Sequence, residues 1–143
     1  MAYDIEQVIK MSEDELDQLF STSESGEIPD GEAKGTAIIA PGTSYNHALS
    51  QIINYFAWQG KIFDAKRGTL KNEITPFGLH AILARVYKGD SWFDHKPCIV
   101  LDYSETSMVA QRIRDEIRRV ADKQYLGKVY WGKKQIIHFF LQF

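Results

Sequence analysis

The sequence predicts a mainly β (α+β) protein: an antiparallel β-barrel with an N-terminal helical segment and one helix between strands. Three observations lead there. From Trp58 onward, turn signals recur every eight to twelve residues, the spacing of a β-meander. The chain finishes on the apolar run Ile136-Ile137-His138-Phe139-Phe140-Leu141, which reads as a well-buried strand. Between strand-like segments, Leu49, Ile52, Ile53 and Phe56 fall at helical spacing, so a single helix can plug the barrel or lie against it.

Taken in order, residues 3–20 read as helical. Glu15 stands three residues after Ser12, a capping box, and Leu16, Leu19 and Phe20 form a short apolar stripe. Ser21 to Gly35 is rich in Ser, Gly, Glu and Asp, with Pro29-Asp30-Gly31 as a turn, and reads as a loop or tether. Gly35 to Ala40 is a short buried strand stopped by Pro41-Gly42, and Ser44 caps the helix that follows. Further strands are expected at about 58–65, 68–75, 79–87, 90–94, 97–103, 113–120, 124–131 and 134–143. Residues 107–120 are ambiguous. Val109, Ile113, Ile117 and Val120 keep helical spacing, while a strand would put Ile113, Asp115 and Ile117 on one face; a short helix to about Arg112 followed by a strand is favoured. The expected division is an acidic helical segment and loop over 1–34, then one barrel domain over 35–143.

Composition excludes several classes. The chain is 44% hydrophobic and 25% charged, as soluble globular proteins are. Its single cysteine, Cys98, forbids an internal disulfide and sits in an apolar run, where a buried inert thiol is expected. No segment approaches the ~20 apolar residues of a membrane span, and the acidic start lacks the basic and apolar regions of a signal peptide, so a cytoplasmic protein is expected. The net charge of −2 conceals a polarity: residues 1–33 carry ten acids against one base, leaving a basic remainder. Those bases are dispersed and the acidic segment is an internal counter-ion, so no nucleic-acid partner is expected. No phosphate-binding glycine loop, HExxH or GxSxG is present, and His47, His80, His95 and His138 form no recognisable metal set. No cofactor is expected, although haem ligation by His80 or His138 is conceivable because one histidine suffices.

Polar residues on otherwise apolar strand faces are the candidate pocket. Arg85 continues the face Leu79-Ala81-Leu83, Asn72 lies between Leu70 and Ile74, Asp102 follows Cys98 and Val100, and His138 lies between Ile136 and Phe140. A mostly apolar interior with a few convergent polar groups is how small-molecule sites are lined. Asp115 and Arg118 join the set if residues 113–120 form a strand. Trp58, Tyr125 and Trp131 supply apolar walls, and Gly127 leaves room for a ligand or a crossing strand. Each residue also has an ordinary reading: His138 as a hydrogen-bonded core residue, Arg85 and Asp102 as ion-paired charges, the aromatics as packing.

Two stretches resemble a known family. Trp58-Gln59-Gly60-Lys61-Ile62-Phe63 is similar to a W-x-GK-x-F element, and Asp115-Glu116-Ile117-Arg118-Arg119-Val120 with Leu126-Gly127-Lys128-Val129 is similar to a D-x-FR-x-V strand preceding an LG-x-M strand. Together with Glu15 to Phe20, they resemble small bacterial proteins with GXWXG-type domains. The GXWXG signature itself is absent, Ala33 standing where its tryptophan would be. The resemblance implies a calycin- or lipocalin-like barrel of a kind that holds lipids, haem or other hydrophobic molecules.

Three functions follow as expectations. The first is a non-enzymatic protein binding one hydrophobic or amphipathic, fatty-acid-like molecule, with Arg85 or Arg118 meeting an anionic head. The second is an enzyme on a small apolar substrate, with Asp102 or Asp115 as general acid/base. The third is an interaction module whose acidic arm lies on the basic body. The last strand could also pair edge to edge in a homodimer.

Overall fold

A computed structural model describes residues 2–39, 60–73, 81–105 and 110–143. Two short helices, α1 (Ile5–Ile9) and α2 (Glu13–Thr22), precede eight strands: β1 (Gly31–Ile38), β2 (Lys61–Asp64), β3 (Thr69–Glu73), β4 (Ala81–Asp90), β5 (Pro97–Asp102), β6 (Ile113–Ala121), β7 (Gln124–Trp131) and β8 (Lys134–Gln142). Each strand pairs antiparallel with the next, and β8 pairs with β1, closing the barrel. An eight-stranded barrel is just wide enough for its side chains or for one small ligand.

The capping box forms as expected. The Ser12 hydroxyl accepts from the Glu15 amide at 3.1 Å and the Glu15 carboxylate accepts from the Ser12 amide at 3.2 Å. Leu16 and Phe20, one turn apart, then meet Val8, Ile38, Leu126 and Phe140 on the outer face of the barrel. The turn before β8 also falls as expected, with Gly132 at φ 64°. The ambiguous stretch resolves as a 3-10 turn, Ala110–Arg112, running into β6.

Three expectations are corrected. The segment expected to be loop up to Gly35 is strand from Gly31, because Ala33 and Ala37 alternate inward and pair with β2 and β8. No separate strand covers 90–94: β4 runs on to Asp90, and residues 91–95 turn, held by Ser91 N donating to Lys96 O at 2.9 Å. The last strand has partners on both sides, so its edge is not available for pairing with another copy. The expected helix after Ser44 lies outside the described residues.

The interior is apolar and contributed by all eight strands, with Phe63, Leu101, Ile117, Val129 and Phe139 among its larger members. Gly127 belongs to this packing. A Cβ there would overlap the Phe139 ring, so the room that the glycine leaves is already filled by Phe139. The connections 39–60, 73–81 and 102–113 all join strands at one end of the barrel; the turns 64–69, 90–97 and 121–124 lie at the other.

Candidate functional site

Among the described residues, two charged side chains stand inside the apolar barrel, both near the end at which β2 and β6 begin. Lys61 opens β2, and Asp115 is the third residue of β6; each is fully buried. Their positions follow from register. Lys61 pairs with the inward Ala33, and Asp115 lies between the inward Leu101 and Val129. Lys61 Nζ lies 4.0 Å from Asp115 Oδ2, donates to the Tyr103 hydroxyl at 3.4 Å, and is 5.6 Å from the Phe139 ring centre. Among the described residues, neither Asp115 oxygen finds a hydrogen-bond partner of ordinary geometry. The Tyr103 hydroxyl is nonetheless close enough to favour the carboxylate slightly.

Burial dominates the electrostatics of this group. It pushes the Asp115 carboxyl well above the usual carboxylate range and pulls the Lys61 ammonium down, while their mutual attraction opposes both shifts. The two opposed shifts bring the proton affinities of the pair close together while leaving Lys61 the stronger base, so a proton can pass between them or to a polar ligand group.

The other expected pocket residues are distributed elsewhere. Trp58 lies outside the described residues. Asn72 pairs in register with Lys61, its side chain not being among those described. Trp131, half-buried, packs at the same end of the interior, and Tyr125 packs at the opposite end, where its hydroxyl donates to Glu27 O at 2.8 Å. Arg85, Asp102, Arg118 and His138 point outward, contrary to expectation. The inward residues of β4 are Ala84 and Val86, and Leu83 is 55% exposed, so a small alanine rather than the leucine marks the inner face. Arg85 pairs with Glu105 at 3.4 Å in solvent, and Asp102 accepts from the Tyr87 hydroxyl at 2.8 Å. Arg85 cannot meet a ligand head inside the barrel, and Asp102, though next to Asp115 in the β5–β6 register, lies on the opposite face of the sheet.

Arg118 and His138 misled for a different reason: the helices give the outer faces of β6, β7 and β8 an apolar cover of their own. Arg118 lies beneath α2, bidentate to Asp94 at 2.7 and 2.7 Å, donating to Phe20 O at 2.8 Å and stacked 4.4 Å from the Phe20 ring. Its hydrogen bonds hold Asp94 below the usual carboxylate range. His138 faces Glu13 and Asp17 of α2 at 3.4 and 3.3 Å. Donor atoms of those three residues lie within 4.8 Å of one another, as metal ligands do. The position is taken, however, by the Lys128 ammonium, 2.5 Å from Asp17 Oδ1 and 3.0 Å from His138 Nε2. A built-in cation makes this a pin between α2 and the barrel, and it engages His138 away from any interior cofactor. Cys98 is buried as expected, its thiol pushed up to about 12 by burial.

Sequence reasoning missed Lys61 and Tyr103. Their signal was partial: an inward Asp115 in an apolar face requires a cation, and Lys61 shares its strand face with Phe63. A cleft of about 500 Å³ opens at the far end beside Ile28, Arg119, Lys123, Tyr125 and Phe143. It mixes charges of both signs and holds no buried charged group.

Fold and site together define a closed eight-stranded antiparallel barrel with a filled middle and a buried lysine–aspartate pair near one end. No family model and no curated protein matches the chain. A solved structure of a protein from Thermomonospora curvata is similar, with a TM-score of 0.59 and 19% sequence identity, over 92% of this chain and 87% of that one. That likeness establishes the fold. Among the described residues, no helix is long and apolar enough to cross a membrane.

Proposed function

We propose that this protein binds one hydrophobic or amphipathic small molecule, fatty-acid-like in character, at the barrel end that carries Lys61. The carrying observation is the fully buried Lys61–Asp115 pair beside Tyr103, with Asp115 oxygens that lack hydrogen-bond partners among the described residues. Buried polar groups are ordinarily satisfied, and a buried Asp115 carboxyl without hydrogen-bond partners among the described residues is a group that a ligand can complete. A carboxylate or hydroxyl head would take a hydrogen bond from Lys61 and one from protonated Asp115, with its tail along Trp131 and the apolar wall. Lys61 thus replaces Arg85 and Arg118 as the group that meets the head. The reading accords with what the resemblance to GXWXG-type domains implies.

Native mass spectrometry of the purified chain, followed by denaturing extraction, tests it. A bound acid, alcohol or related amphiphile is the expected result. A clean mass, together with no rise in melting temperature across a panel of straight-chain acids and alcohols, would overturn the reading. Catalysis is the second reading, favoured by one observation: Asp115 is held toward its protonated form by burial, as a general acid would be. Turnover of a bound molecule, lost in Asp115→Asn, would separate the two.

A further inference from the structure

Buried lysines are of two kinds in this barrel. Lys128 is fully buried on the outer face, where burial pulls its ammonium down but Asp17 at 2.5 Å opposes that pull, with Gln135 at 3.2 Å and the Phe93 ring at 4.0 Å. Lys61 is fully buried inside, with the Asp115 carboxyl 4.0 Å away, the Tyr103 hydroxyl at 3.4 Å and the Phe139 ring centre at 5.6 Å. A desolvated lysine with a proton-exchanging acid alongside is the arrangement that turns an ammonium into a nucleophilic amine.

We propose that Lys61 forms a reversible imine with the carbonyl group of a hydrophobic aldehyde or ketone held at this end of the barrel. The inference rests on the ligand-binding reading above and narrows its ligand class. The neutral Nζ attacks the carbonyl carbon; a C–N bond forms as the C=O π bond opens, and the oxygen takes a proton from the Asp115 carboxyl. The resulting carbinolamine loses its hydroxyl, reprotonated as it leaves, and one N–H proton, so that one water departs and a C=N bond remains. No oxidant or reductant is consumed. The Asp115 carboxylate is then the counter-ion of the protonated imine, which supplies the partner its oxygens lack. Tyr103, 3.4 Å from Nζ, is placed to orient the amine. Burial lowers Lys61 to about 8, which gives it a far larger neutral fraction near neutral pH than a solvated lysine has, and that fraction makes the attack.

The test uses the full chain with decanal and sodium cyanoborohydride at neutral pH, which reduces any imine to a stable secondary amine, followed by intact mass and peptide mapping. Decan-1-ol, which fills the same space and forms no imine, is examined in parallel by native mass spectrometry. The expected result is one predominant adduct on Lys61, formed at least about tenfold faster than on exposed lysines such as Lys34, since each unit of lowered pKa gives about ten times more neutral amine. Lys61→Arg should abolish that adduct, and Asp115→Asn should slow it while the protein keeps its folded circular dichroism. Decan-1-ol bound without a Lys61 adduct would overturn the covalent inference and leave ligand binding standing. Labelling scattered over exposed lysines with Lys61 no faster would also overturn it. Neither binding nor adduct would remove both.

Discussion

Lys61 and Asp115 make opposite demands on stability and on function. Removing one partner strands a buried charge, whereas replacing both with apolar side chains of similar size relieves two desolvation costs. Lys61→Met or Asp115→Leu alone should cost up to about 3 kcal/mol in urea unfolding, and the double variant should be at least as stable as the parent. Single-variant losses that simply add would show that the pair does not interact. Gly127 is a separate matter of shape. Gly127→Ala places a methyl group in the Phe139 ring, and such overpacking should lower stability by about 1–3 kcal/mol; an unchanged urea midpoint would mean that the ring moves freely. At this scale the sequence was only half legible. Asp115 read as inward once its segment was taken as strand, but for Lys61 a shared face with Phe63 was a partial signal that does not by itself separate an inward lysine from a solvated one. Only the register Ala33–Lys61–Asn72 assigns it to the inner face.

Helix α2 explains both what was read correctly and what was not. Ser12 and Glu15 mark its start by a local rule that needs no tertiary information, and Ser12→Ala should cost about 1 kcal/mol. Its effect on the barrel is not local. By covering the outer faces of β6, β7 and β8, it buries both faces of those strands, so period-two reasoning loses its direction there. Arg118 and His138 are inside the protein but outside the barrel, a distinction that alternation alone cannot draw. Phe20 anchors this packing, with Arg118 over its ring and Phe93 edge-on at 6.2 Å. Phe20→Ala should destabilise by about 3–5 kcal/mol, far more than loss of the cap, when both are measured by thermal unfolding. Equal effects would show that α2 contributes its backbone and not its apolar face.

For the whole molecule, acid sensitivity follows from where carboxylates meet cations. Arg118 holds Asp94, and His138 holds Glu13, below their ordinary values of 3.8 and 4.5. Each contributes stability that is present above its unfolded value and lost as pH falls through its lower folded value. Asp115 has the opposite sign: its raised folded value favours the native state as pH falls toward 3.8. The melting temperature should therefore hold near pH 5 and fall steeply below pH 4, and Asp94→Asn should flatten the fall. An unchanged slope in that variant would remove Asp94 from the account. The closed meander and its mainly β content were legible because they rest on turn spacing, which is local, whereas the expected strand at 90–94 proved to be the end of β4 and a turn. The site was not, because it is made by strands β2, β5 and β6 meeting across the barrel. The decisive measurement is the ligand-induced shift in melting temperature with decanoic acid, for the parent and for the Lys61→Met/Asp115→Leu double variant. A ligand that binds only the native state raises stability with its concentration. The parent should show that rise and the folded double variant should lose it; an equal rise in both would place the ligand elsewhere and contradict the assignment of Lys61 and Asp115 as its site.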